Sequence, residues 1–185
     1  MLGWDELEAA CNKCQRCSLA DGRQNVVFGD GNREADVMFI GEGPGQQEDA
    51  TGVPFVGRAG QLLDDMLKVI GLDRTRVYIA NTVKCRPPGN RDPLGLEQEA
   101  CIGWLRNQTA LVAPKIIVCL GRVAAARVIK EDFKITKEHG IWFPRGAYRL
   151  MAMYHPSYLL RDPRRRPEAF DDLKILEEAI LEISD

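Results

Sequence analysis

Residues 35–45, Ala35-Asp36-Val37-Met38-Phe39-Ile40-Gly41-Glu42-Gly43-Pro44-Gly45, run an apolar stretch into a stop that no strand continues through. Residues 35–40 have strand length and little alternation, the pattern of a strand covered on both faces. The glycines and proline that follow force a loop. Outward from this point the pattern recurs. Leu62, Leu63, Met66, Leu67 and Ile70 form a helical stripe over residues 60–70, with Gly71 as its stop. Residues 77–80 read as a strand leading into Asn81, residues 96–112 as a helix, and residues 115–120 (KIIVCL) as another buried strand. Gly121 opens a helix to about Ile129. Residues 150–153 form a strand that ends at Tyr154-His155-Pro156, and a last helix spans roughly Pro167 to Ile183. Minor features are an N-terminal helix carrying Trp4, Leu7, Ala10 and Cys11, a loop over residues 14–23, a short strand at 26–28 before the turn at 29–32, and a weak strand pair or loop over 135–143.

Four strands alternating with helices predict an α/β sandwich around a mainly parallel sheet. Open parallel sheets collect ligands at the C-terminal ends of their strands. Glu42, Asn81 and His155 each follow a strand, so the topology predicts that they meet in one cleft.

The chain has 185 residues, which suits one domain over 1–185 with a single sizeable core. No apolar run is long enough to cross a bilayer. The opening MLGWDELEAACNKC has neither a basic start nor an apolar stretch of signal length, so a cytoplasmic protein is expected. The net charge of −2 does not announce nucleic-acid binding. Local charge does more: Lys84, Arg86 and Arg91 cluster in one segment, Arg161, Arg164, Arg165 and Arg166 in another, and the acidic residues 168–185 offset them. Such asymmetry suits one positive face for a phosphate backbone, although basic runs are also commonly solvated loops.

Six cysteines in such a chain favour metal ligation or burial over disulfides. Cys14 and Cys17 form C-x-x-C, with Cys85 and Cys101 as distant partners. Four thiolates suit an iron–sulfur cluster or zinc. Cys11 extends the spacing and leaves the ligand set ambiguous, but its position on the apolar side of the first helix favours packing. Cys119 lies in an apolar strand and reads as a core residue.

Four motifs carry chemistry. Gly41-Glu42-Gly43-Pro44-Gly45-Gln46-Gln47-Glu48-Asp49 allows close backbone approach to a ligand and holds three carboxylates, but it is not a dinucleotide fingerprint. In Gly52-Val53-Pro54-Phe55-Val56-Gly57-Arg58-Ala59-Gly60, Phe55 is either a packed lid or a platform for a base. The Asn81 amide offers a donor and an acceptor, complementary to the N3–H and O4 edge of uracil and mismatched to cytosine; a strand-end cap is the plainer role. In Tyr154-His155-Pro156-Ser157-Tyr158-Leu159-Leu160-Arg161, His155 is one of two histidines. Leu159 and Leu160 beside Arg161 have the make-up of an apolar wedge that enters a DNA stack.

Taken together, GEGPG, GVPFVGRAGQLL, NTVKCRPPGNRDP and YHPSYLLR resemble the family 4 uracil-DNA glycosylases, in consistent order from Cys14 to about Arg161. The resemblance implies a three-layer α/β/α sandwich around a four-stranded, mainly parallel sheet. It implies a [4Fe–4S] cluster on Cys14, Cys17, Cys85 and Cys101, bound through an N-terminal cysteine-containing segment. It implies a uracil pocket lined by Gly41, Glu42 and Gly43, with Phe55 stacking on the flipped base. In that pocket Asn81 reads the base edge, His155 donates to O2, and Glu48 sits near C5. Gly43 stands where the best-known uracil glycosylases carry an aspartate, so Glu42 is the first candidate to hold the attacking water. The DNA-contacting residues are then Arg58, Lys84, Arg86, Ser157, Leu159, Leu160 and Arg161. The partner is uracil-containing DNA, single- or double-stranded, met by a monomer associated with the nucleoid and not with a membrane. The alternative is an iron–sulfur DNA-binding module of the same superfamily without glycosylase activity.

Overall fold

The computed structural model describes residues 2–184. Six strands form one mixed sheet in the order β1-β3-β2-β4-β6-β5. The strands are β1 (Asp30–Gly31), β2 (Val37–Gly41), β3 (Val77–Asn81), β4 (Ile116–Leu120), β5 (Phe143–Arg145) and β6 (Tyr148–Met153). The helices are α1 (Trp4–Asn12), α2 (Leu19–Gly22), α3 (Gln46–Thr51), α4 (Arg58–Val69), α5 (Gly95–Val112), α6 (Arg122–Val128), α7 (Ile135–Glu138), α8 (Pro156–Arg161) and α9 (Arg166–Ser184).

The four expected strands are the parallel centre, β3-β2-β4-β6. Two short antiparallel edge strands, β1 on β3 and β5 on β6, extend the sheet beyond the expected four. Neither edge strand is long enough to show a period in sequence: β1 falls within the expected turn, not at 26–28, and β5 starts at the last residue of the segment 135–143, which opens with the short helix α7 where a weak strand pair or loop is expected.

Alternation along the central strands builds the layers. Phe39, Ile79, Val118 and Met151 point to one face and pack with Leu63 and Leu67 of α4 and Leu173 and Leu176 of α9. Met38, Tyr78, Ile117 and Leu150 point to the other and pack with Ile102 and Leu105 of α5 and Ala124 and Ala125 of α6. A smaller cluster joins Leu7 and Cys11 of α1 to Cys101 and Trp104 of α5. Residues on both faces of the centre are buried, which is why these strands read as unbroken apolar runs. No helix among the described residues is long and apolar enough to cross a membrane.

Leu67 is 1% exposed and central to the first face, whereas Leu96 is 86% exposed. Leu67→Ala is expected to lower unfolding free energy by about 2–5 kcal/mol. Leu96→Ala should change it by less than about 0.5 kcal/mol. Urea denaturation of both variants checks the contrast.

Candidate functional site

The parallel register sets Gly41 directly beside Asn81. Past the sheet the two chains stay joined, with Thr82 N–H donating to Gly41 O at 3.0 Å and Thr82 Oγ1 to Glu42 O at 2.6 Å. On the other side, Gly121 N–H donates to Met153 O at 2.8 Å, which holds the tip of β4 against the start of the Tyr154-His155 segment. The strand tips therefore end level. Glu42, Phe55, Asn81 and His155 line one cavity of about 410 Å³, with Arg58 and Arg161 at its exposed margin. The predicted convergence of Glu42, Asn81 and His155 is present.

Asn81 is 2% exposed, and its Oδ1 has no hydrogen-bond partner. A buried acceptor without a donor costs about 1–3 kcal/mol, so this atom waits for a donor that the chain does not supply. Gly41 makes its position possible: a Cβ there would lie 2.4 Å from Asn81 Oδ1 and 2.6 Å from Phe55 Cζ.

His155 caps α8. Its Nδ1 accepts the backbone N–H of Ser157 at 3.0 Å and lies 2.8 Å from Ser157 Oγ. A backbone N–H only donates, so Nδ1 is the unprotonated nitrogen and the ring hydrogen sits on Nε2. Burial, followed by the nearby Arg161, pushes the pKa of His155 down to about 4. The imidazole is thus neutral at pH 7, a single donor and not a cation. Its ring stacks on Phe55 with centroids 5.6 Å apart.

Phe55 has φ 53°, a left-handed backbone uncommon for a bulky residue. Three contacts impose it. Arg74 donates to Pro54 O at 2.8 Å and to Phe55 O, and is itself fixed on Asp64 at 2.7 Å. Gly60 lies so close beneath that an added Cβ would fall 1.8 Å from Phe55 O. Glu48 Oε1 accepts the N–H groups of Val56 and Gly57 at 2.9 and 3.0 Å, while Oε2 accepts that of Gly45 at 3.1 Å. Glu48 lines the cavity, and its carboxylate ties the glycine-rich loop to the Phe55 loop. Neither Arg74 nor this use of Glu48 was legible in the sequence; an arginine in a loop gives no sign of which carbonyls it will meet.

Glu42 is half-buried, and its pKa is pushed up to about 7, first by burial and then by the nearby Asp92. Among the expected DNA-contacting residues, Arg58 and Arg161 are exposed, and Ser157 and Leu160 are partly so. Arg86 is half-buried and donates to Asn90 Oδ1 at 2.8 Å. Two expectations need correction. Leu159 is 1% exposed and packs in the core, because the segment read as a loop is helix α8 and turns that side chain inward. Lys84 is 1% exposed, with Nζ donating to Gln108 Oε1 at 2.5 Å, and so faces the interior and not DNA.

Lys84 instead lies by the cysteines. Cys11, Cys14, Cys17, Cys85 and Cys101 line one small cavity with Lys84 and Arg23. Arg23 donates to Cys14 O at 2.7 Å and to Cys85 Sγ at 3.4 Å, and Lys84 N–H donates to Cys101 Sγ at 3.3 Å. Burial pushes Lys84 down to about 8, and Cys101, Cys11 and Cys85 oppose that shift. A buried ammonium with one neutral acceptor calls for negative charge nearby, which metal-bound thiolates supply and neutral thiols do not. The donor set therefore fits an anionic metal–thiolate group. Among the described residues, no three His, Cys, Asp or Glu side chains are gathered around a single ion position. Cys119 is fully buried in β4, away from this cavity.

Comparison with known proteins agrees with this geometry. The sequence model of the Uracil DNA glycosylase superfamily matches residues 28–175. A type-4 uracil-DNA glycosylase of Thermotoga maritima is 46% identical over 154 residues, 81% of this chain and 79% of that protein. One of Archaeoglobus fulgidus is 40% identical over 182 residues, covering 94% and 92% of the two chains. One of Sulfurisphaera tokodaii is 42% identical over 174 residues, covering 89% and 79%.

The Glu48 clamp makes a local prediction. Glu48→Gln keeps the shape but removes the charge that strengthens three hydrogen bonds. The amides of Val56 and Gly57 should then exchange with deuterium at least about tenfold faster, while those of β2 and β4 keep their protection. Unchanged exchange at Val56 and Gly57 would remove Glu48 from this role.

Proposed function

The chain belongs to the type-4 uracil-DNA glycosylases and cleaves the bond between uracil and its sugar in DNA, and we propose that the cavity at the strand tips performs that cleavage on a base turned out of the helix. The observation that carries the reading is the orphaned Asn81 Oδ1, buried in the cavity that also holds His155. Uracil N3–H is the donor that this acceptor lacks, and the Asn81 amide N–H₂ matches uracil O4. Cytosine offers an acceptor at N3 and a donor at N4, so both contacts would be wrong. Phe55, which lines the cavity, supplies a flat apolar surface for the base.

Breaking the N-glycosidic bond leaves positive charge on the sugar and negative charge on uracil. The neutral His155, with its hydrogen on Nε2, donates to uracil O2 as that charge develops. Such a pre-set donor in a water-poor pocket contributes on the order of 10²–10³ in rate. Glu42 holds the water that attacks C1′. Gly43 is unsuited to a larger residue, because a Cβ would lie 2.8 Å from the buried Val83 Cγ2. The carboxylate for the water therefore comes from position 42. Arg58, Arg161, Ser157 and Leu160, at the rim, meet the DNA on either side of the extruded nucleotide.

The cysteine cavity would hold a [4Fe–4S] cluster on Cys14, Cys17, Cys85 and Cys101, with Cys11 packed behind. Five cysteines around one cavity supply the four thiolates that such a cluster needs. When bound, the cluster serves as a cross-link and takes no part in the hydrolysis. It ties residues 14–17 to α5 and to the chain leaving β3, the same strand that presents Asn81.

His155→Ala and Asn81→Ala are each expected to lower single-turnover release of uracil by about 10²–10³, while affinity for uracil-containing DNA falls less than about tenfold. Equal losses in rate and binding would contradict the assignment, and wild-type protein that binds such DNA without releasing uracil would make it a binding module. The purified protein should be brown with broad visible absorbance, and Cys85→Ala should lose that colour together with thermal stability. A colourless wild-type protein containing stoichiometric zinc would overturn the cluster.

A further inference from the structure

A second cavity of about 300 Å³ shares Glu42, His155, Ser157 and Arg161 with the first. Glu42 belongs to both, so one of its faces looks toward the proposed base site and the other toward this chamber. Asp92 lines the second cavity and not the first, and Arg122 pairs with it at 2.7 Å from the start of α6. Asp92 shares this cavity with Glu42 and raises its pKa. A negative charge beside a half-buried carboxyl disfavours that group's ionised form.

We propose that Asp92 is a positioning residue for the hydrolysis: near Glu42 and anchored by Arg122, it holds the Glu42 carboxyl toward the attacking water and sets the pH at which Glu42 can accept that water's proton. The inference rests on the reading of Glu42 given above. In the step, the water oxygen bonds to C1′ of the sugar, from which N1 of uracil has departed with the bonding pair. One water proton passes to the Glu42 carboxylate, and the anionic uracil is protonated after it leaves. Water is the sole co-reactant, and the second cavity is the side from which it reaches Glu42.

The surroundings fix the sign of the pH effect. Glu42 shares the second cavity with Asp92, Arg122, Tyr158, Arg161 and the neutral His155, and the first with Glu48, Arg58 and Arg91. Burial and Asp92 raise its pKa, while Arg122 and Arg161 lower it. Activity that needs the unprotonated form rises with pH through this value and is lost below it. Removing Asp92 therefore extends activity to lower pH, and removing Arg122 confines it to higher pH.

The test is kcat/KM against pH on a uracil-containing oligonucleotide, which reports groups of the free enzyme. Wild type should show an acid limb near pH 7, where burial and Asp92 place Glu42. Asp92→Asn should move that limb down by about one pH unit or more, and Arg122→Gln should move it up. Asp92 and Arg122 are each about 60% exposed, so neither substitution should prevent folding. A limb that stays in place in both variants overturns the proposal, even if their rates fall. Glu42→Gln separates the two levels: if it keeps full rate, the reading of Glu42 fails and the proposal falls with it. If it loses the rate and the limb while Asp92→Asn leaves the limb unmoved, only the proposal fails.

Discussion

Gly41 stands level with Asn81 in the parallel pairing of β2 and β3, and the space where its side chain would be is taken by Asn81 Oδ1 and the Phe55 ring. This contact sets the width of the gap between the two strand tips. It holds an amide against an aromatic ring without filling the cavity between them and the rest of the site. The other parts serve the same arrangement. Arg74, Glu48 and Gly60 force Phe55 into a left-handed backbone that brings its ring to this point. Ser157 orients the His155 ring across the cavity. On the proposed reading these contacts pre-organise the site for an incoming base.

The central strands were legible because burial on both faces leaves no polar residue to blur their limits, as in Val37–Gly41 and Ile116–Leu120. Once the sheet was known to be parallel, the meeting of Glu42, Asn81 and His155 followed from topology. Short elements were not legible. α3 and α8 span six residues each, under two turns, too few for a 3.6-residue period to appear. Missing α8 gave Leu159 an outward role that its burial rules out. Lys84 was grouped with Arg86 and Arg91 by proximity in sequence, although its neighbours Val83 and Cys85 are both buried. Asp92 was overlooked because its partners, Glu42 and Arg122, are supplied by segments remote in the chain, and single-sequence patterns carry no information on such pairings.

The buried Lys84 connects the two halves of the molecule. Its side chain runs between the cysteine cavity and Gln108, which in turn donates to Phe28 O at 2.8 Å and to the Tyr78 hydroxyl at 3.1 Å. Tyr78 belongs to β3, the strand that ends in Asn81. The cysteine cavity is thus joined to the strand that ends in Asn81 by buried hydrogen bonds. This is a physical route by which a group far from the reacting bond supports the site without joining the chemistry.

The central claim is that the unpartnered Asn81 oxygen receives the N3–H of an extruded uracil. The most direct measurement is a crystal structure with DNA carrying a 2′-fluorinated deoxyuridine, whose sugar resists cleavage. The base should lie in the strand-tip cavity against Phe55, with N3 within hydrogen-bond distance of Asn81 Oδ1 and O2 within reach of His155 Nε2. A base bound elsewhere, or one seated in the cavity with Asn81 Oδ1 still lacking a donor, would contradict the account.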